Sequence, residues 1–321
     1  MFSYLRKALE NQGIPEHTQT IIINSWRTST RKQYTTYLKQ WFYFCNGKTN
    51  FVAPNINYIL EFLTLLYDKG LSYSAICIAR SSINTLLKTV SNIDLNNNSL
   101  ISRFMKGVFN SRPALPRYNA MWDVGIVLKY LAKMNTQSLL PLSCKVSMLF
   151  LLLSAQRCQT LHLICVEDIT LSADKVVIEV PHLLKTTRPG HRQDPLVFES
   201  YKDNKNICIV QCMREYVSRT EKLRTTKKLL ISTIKPYGAA SKQTVSRWIK
   251  LSMQKAGVHD CFKPHSTRAA SSSMANQRGV SLDTIAKSAG WTGARTFAKY
   301  YNKPLYIKAD TMPKAIQSCL K

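Results

Sequence analysis

Residues 263–304 read KPHSTRAASSSMANQRGVSLDTIAKSAGWTGARTFAKYYNKP. Pro264 puts His265 at a helix start, and His265 and Arg268, three apart, share one face of that helix. An imidazole and a guanidinium on one face near a helix N-terminus form a site for a phosphate. The pattern predicts a helix over 265–277 with a stop at Gly279, a second over 281–289, and a short third from about Thr292 to Tyr301. Trp291 follows Arg268 by 23 residues, and Tyr300 follows Trp291 by nine. Tyr300 and Tyr301 are adjacent on the last helix and point about 100° apart, so only one of them can face a phosphate.

Working outward, LFLLLSAQRCQTLHLICVEDI at 149–169 continues a buried helix that begins near Leu140 and runs into Arg157. After Asp168 the pattern changes to β-branched runs, Lys175 to Val180 and Leu196 to Phe198. A long basic connection, HLLKTTRPGHRQDP at 182–195, lies between them and turns at Pro189-Gly190. Helices resume at about Ile207. Ser241 caps a further helix with Val245, Trp248, Ile249 and Met253 on its apolar side and Gly257 as its stop. The first 110 residues read as nearly all helix. One helix spans Ser29 to Cys45, one opens at Pro54 and runs through Leu66, one is capped by Ser72 and reaches about Val90, and a short fourth ends near Phe109. Residues 111–120, SRPALPRYNA, hold two prolines and no periodicity. The expected organisation is therefore a helical domain over 1–110, a linker over 111–120, and a second domain over 121–321 whose tail, 304–321, is mildly amphipathic. Docking of that tail on its own chain or on a neighbour is left open.

The charge balance narrows the partner. The chain of 321 residues carries 45 Lys+Arg against 18 Asp+Glu, a net of +27. Residues 1–120 hold 14 basic and 5 acidic side chains, and 121–321 hold 31 and 13, so the excess is spread through the chain and not confined to a tail. A folded protein basic throughout faces a polyanion, because each neutralised phosphate releases counterions. Hydrophobic residues make up 45% of the chain, enough for a core in each domain. The nine cysteines follow no disulfide framework, several sit in apolar runs, and Cys208 and Cys212 lack a second pair at zinc spacing, so a reduced intracellular protein without metal is expected. The longest apolar stretch, Val146 to Ala155, is too short to cross a bilayer.

Metal-free cleavage of a phosphodiester needs a nucleophile, cations on the non-bridging oxygens, and an acid for the leaving 5′-oxygen. A phenol, mostly protonated at neutral pH, must sit among cations to act as that nucleophile. H-S-T-R at 265–268, A-G-W-T at 289–292 and Tyr300 nine residues past Trp291 resemble the C-terminal signature of the tyrosine recombinases, the phage integrase family. The stretch 149–169 resembles the first half of that signature, with Arg157 as the motif arginine. Lys185 stands where the family carries a lysine on a β-hairpin. The resemblance covers 121–321 by order and spacing, whereas 1–110 match only as a basic helical module. KTTRPG, KPHSTRAASSS and YYNKP look most like recombinases of eukaryotic mobile elements, the DIRS, Ngaro and Crypton groups.

The resemblance implies a mainly α protein: a helical N-terminal core-binding bundle and an α+β catalytic domain with a small antiparallel sheet. It implies that Arg157 and Arg268 clamp the non-bridging oxygens and that His265 and Trp291 donate to the same phosphate. Lys185 then protonates the leaving 5′-oxygen, and Tyr300, favoured over Tyr301 by its spacing from Trp291, forms a 3′-phosphotyrosyl bond that needs neither ATP nor a cofactor to reverse. It further implies double-stranded DNA as partner, four protomers on two duplexes, a Holliday junction, and a nuclear location if the element is eukaryotic. Thr160 departs from the pattern, standing where many members carry an acid. Arg27, Arg31, Lys32, Lys39, Arg188, Arg192, Arg247 and Lys250 are candidate DNA contacts, as is the run Arg219, Lys222, Arg224, Lys227 and Lys228. Two rivals share these features, a catalytically silent DNA-binding derivative and a type IB topoisomerase.

Overall fold

The computed structural model describes residues 3–181, 184, 187, 189–190, 193–291 and 293–305, with the backbone alone for Ser3, Tyr4, Ala294, Lys299 and Tyr300. The chain divides into two compact units, Met1–Pro116 and Arg117–Lys321. It is mainly helical with one small antiparallel sheet, as the motifs imply.

In the first unit the described helices are α1 (Ser3–Asn11), α2 (Glu16–Asn24), α3 (Thr28–Cys45), α4 (Ile56–Asp68), α5 (Tyr73–Ser91) and α6 (Ser99–Ser111). The last four answer to the helices read from periodicity; α1 and α2 are additional. Leu5 and Leu9, one turn apart on α1, join the same core as Trp41, Phe62, Leu63, Ile83 and Leu87. Trp41 is fully buried on α3, and its indole N–H donates to Phe51 O at 2.9 Å, which removes the cost of burying that donor. Caps set the boundaries. Asn55, not Pro54, starts α4 by accepting from Asn57 N at 2.9 Å, and Ser72 starts α5 by accepting from Ala75 N at 3.3 Å.

The second unit opens with α7 (Val124–Ala132) and α8 (Leu139–Ser154). Short α9 (Cys158–Leu163) leads into β1 (Ile169–Leu171), β2 (Lys175–Ile178) and β3 (Leu196–Glu199). Then follow α10 (Ile209–Thr220), α11 (Lys242–Lys255), α12 (Ser266–Gln277), α13 (Leu282–Ala289) and α14 (Ala294–Tyr300). The sheet order is β1-β2-β3 with antiparallel pairing throughout, Thr170 opposite Val177 and Val177 opposite Val197. Only β2 and β3 were expected; β1 was not read from the sequence.

Helix α8 is buried nearly all round and packs on α10, α11 and α12. Burial of each large apolar side chain there, such as Leu149, Phe150 and Leu151, contributes about 1.5–3 kcal/mol. The helix does not run into Arg157. Ala155 adopts the left-handed conformation at φ 50° and ends it, and Arg157 becomes the N-cap of α9. Ala155 then joins Ile285, Ala286, Ala289, Trp291 and Phe297 in a separate small core. That core brings the two halves of the sequence signature together.

Candidate active site

Five hydrogen bonds fix the approach to α12. The Trp122 indole N–H donates to Ser266 Oγ at 2.9 Å, and Lys263 N donates to Tyr118 Oη at 2.9 Å. Lys250 on α11 donates to Asp260 Oδ1 at 2.9 Å and to the carbonyls of Asp260 and Phe262 at 3.2 Å. His265 stands exposed just before the first turn of α12, and Arg268 lies one turn further in.

Arg268 is 1% exposed. Its Nη1 donates to Ala155 O at 2.8 Å, at the turn before Arg157, and its Nη2 donates to Ala289 O at 2.8 Å, at the end of α13. The guanidinium carbon lies 4.8 Å from the Trp291 ring centre and 5.6 Å from that of Tyr301. Those two rings stack at 4.7 Å with 22° between their planes. Burial, with the Arg157 cation adding to it, brings the Arg268 pKa down to about 9, against an opposing pull from Tyr301. Two buried donors here, Arg268 Nε and Trp291 Nε1, make no hydrogen bond to any described residue.

The α9 turn is tied to this centre by neutral groups. Thr160 Oγ1 donates to Gln156 Oε1 at 2.9 Å, and Gln156 Nε2 donates to Ser288 O at 2.6 Å. Gln193, just before β3, donates from Nε2 to Lys287 O at 3.2 Å. Gln156, Gln193 and Tyr301 were not expected in the site. Amides in a polar loop carry no periodic signal, and Tyr301 was set aside in favour of its neighbour.

Arg268, Trp291 and the Arg157 charge thus meet around one small core, with His265 a turn away at the N-cap of α12. Tyr300 is the last residue of α14 and only its backbone is described. Lys185, Arg188 and Arg192 lie outside the described residues, as does the tail from 306 onward; Lys185 falls in the connection between β2 and β3. On α3, Lys32 and Lys39 are exposed and seven apart, hence on one face, and Arg27 is exposed just before the helix. Arg31 is half-buried and donates to Asn24 Oδ1 at 3.3 Å. Arg247 is exposed, whereas Lys250 is engaged by Asp260. In the run 219–228, Arg219 binds Glu215 at 2.8 Å, Arg224 donates to Lys228 O at 2.7 Å, and Lys227 pairs with Glu167 at 3.2 Å, so much of that run serves contacts within the chain. No described helix is long and apolar enough to cross a membrane.

None of the curated proteins is a significant match to this sequence. Among solved structures, the Tn1549 transposon integrase in complex with circular intermediate DNA is similar at 11% identity and TM-score 0.60, over 99% of this chain and 98% of that one. The XerH site-specific recombinase in its pre-cleavage complex with difH substrate is similar at 14% identity and TM-score 0.55, over 82% and 70%. A lambda integrase tetramer bound to a Holliday junction is similar at 18% identity and TM-score 0.52, over 92% and 76%. These likenesses establish the fold. The model of the phage integrase family matches residues 127–306, more than half of the sequence, in a span that includes Arg157, His265, Arg268, Trp291 and Tyr300. The chain belongs to the phage integrase family, the tyrosine recombinases.

Proposed function

We propose that this protein cleaves and rejoins double-stranded DNA at specific sites through a 3′-phosphotyrosyl intermediate, in the integration or excision of a mobile element. Tyr300 Oη attacks the scissile phosphorus, a P–O bond to tyrosine forms, and the bond to the 5′-oxygen breaks. Lys185 gives its proton to that oxygen, and the phenol proton leaves by way of His265. Arg157 and Arg268 balance the charge of the pentacoordinate transition state, and Trp291 donates its indole N–H to the same phosphate. Attack by a second 5′-hydroxyl reverses the step, so bond energy is conserved without ATP. The partner is duplex DNA, and the working unit is four copies on two sites passing through a Holliday junction. The flanking text of the motifs supports an element of the DIRS, Ngaro or Crypton kind, acting in the nucleus.

The observation that carries the reading is the pair of buried donors, Arg268 Nε and Trp291 Nε1, on side chains in contact with each other. Buried N–H groups need acceptors. Here a guanidinium and an indole offer donors and positive charge beside one small apolar core, a combination that an anion with several oxygens satisfies.

Incubation with a nicked suicide duplex containing the element's terminal sequence tests this. A covalent protein–DNA adduct is expected, and its absence at every site leaves a silent DNA-binding protein. Adduct together with relaxation of unrelated plasmid and no recombinants points instead to a topoisomerase. Lys185→Ala is expected to slow cleavage far more than it weakens binding; equal losses would demote Lys185 to a phosphate contact.

A further inference from the structure

Three successive carbonyls at the end of α13 are capped by side chains from elsewhere in the second unit. Lys287 O accepts from Gln193, Ser288 O from Gln156, and Ala289 O from Arg268. Helix C-terminal carbonyls have no partner in their own helix and usually turn to water. Here the amides that cap them are enclosed, Gln156 at 2% exposure and Gln193 at 8%. Chain geometry makes room for them. Gly290 is left-handed at φ 67°, and a Cβ there would collide with Gln193 Oε1 and approach its Cδ to 3.2 Å. The residue after Gly290 is Trp291, so the capped turn also sets where the indole stands.

The orientation of the Gln156 amide is determined. Ser288 O can only accept and so takes Nε2, which leaves Oε1 to accept from Thr160 Oγ1 at 2.9 Å. Thr160 occupies the place where many family members carry an acid. A carboxylate in its place could not donate to Gln156 Oε1. A hydroxyl–amide pair fixes the same turn without adding negative charge.

We propose that Gln156 and Gln193 are positioning residues for DNA cleavage: by occupying the Lys287 and Ser288 carbonyls they leave Arg268 only Ala289 O on α13, and so hold its remaining donors and the Trp291 indole toward the scissile phosphate. The inference rests on the cleavage reaction proposed above. Neither amide touches the phosphate; both act through Arg268 and Trp291.

The test is single-turnover cleavage by the full chain, at saturating protein, on two suicide duplexes. One carries the normal scissile phosphate, and the other a methylphosphonate there, which has no negative charge to clamp. Gln156→Met and Gln193→Met keep length and volume and remove the donor. Each is expected to slow cleavage of the phosphate duplex about 10-fold or more with duplex affinity within about twofold, and the defect is expected to shrink below about threefold on the methylphosphonate. An equal defect on both duplexes overturns the proposal, because a merely structural role does not sense phosphate charge. Arg268→Ala, run in parallel, separates the two levels. If its own defect does not shrink, the clamp reading of Arg268 fails. If it shrinks while the glutamine defects do not, only the positioning role fails. Should both Met variants fold poorly, Thr160→Val frees the Gln156 amide to turn while retaining it, and the same comparison decides.

Discussion

Replacing Gly290 with alanine is expected to destabilise the end of α13 by about 2–3 kcal/mol, and the structure supplies the parts of that sum. Holding alanine in the left-handed region costs about 1–2 kcal/mol. The added Cβ must also push Gln193 from its enclosed position, which breaks its bond to Lys287 O at a cost of about 1 kcal/mol. Lys287 O is not orphaned by this, since Gly290 N still donates to it at 3.0 Å, so no larger penalty is added. Amide hydrogen exchange in peptides covering 282–289, followed across a urea series, reads the opening free energy of this segment. Gln193→Ala removes the atom with which the Cβ collides. The double variant is therefore expected to be less destabilised than the sum of the singles by about 1 kcal/mol. Additivity within about 0.5 kcal/mol would refute the collision and with it the account of why glycine stands before Trp291.

Tyr300→Phe is expected to abolish the covalent adduct, while Tyr301→Phe retains it because the ring stacked on Trp291 survives; adduct from Tyr300→Phe would move the nucleophile to Tyr301. Lys250→Ala is expected to leave the slope of log affinity against log salt unchanged, because its ammonium is engaged by Asp260 and two carbonyls, whereas Lys32→Ala or Lys39→Ala reduces that slope by about one. A drop of one for Lys250→Ala would return it to the DNA contacts.

What the sequence made legible was what depends on period and spacing. The apolar stripes of α3 and α5, the caps at Ser72 and Ser241, and the stop at Gly257 follow from local rules, and the structure contains all of them. The order Arg157, His265, Arg268, Trp291 was readable because it is a one-dimensional pattern. What was not readable depends on contacts across the fold. That α8 ends at Ser154 follows from Ala155 taking a left-handed conformation, which alanine rarely adopts and which nothing nearby in the sequence announces. Arg268 donates to a carbonyl 113 residues away, and Gln193 to one 94 residues away. No window on the sequence contains either pair. Lys250 looked like a phosphate contact because its partner, Asp260, lies beyond the Gly257 stop, off the helix on which Lys250 was read.

The burial of Arg268 links fold and chemistry more tightly than the motif suggests. Two of its five donors join Ala155 O, beside the turn to Arg157, to Ala289 O, beside the turn to Trp291. The guanidinium is thus the strut between the two halves of the signature. Its charge is carried at a desolvation cost, visible in the lowered pKa, and no described carboxylate pairs with it to reduce that cost. A protein selected for stability alone would close such a site with an acid or an apolar side chain. Under the proposed function, a buried cation with an unbonded Nε, lying against Trp291 and Tyr301 and beside the Arg157 charge, is arranged for a negative charge that comes from outside the chain. In the proposed reaction a phosphodiester brings that charge together with the oxygens that the idle N–H groups require.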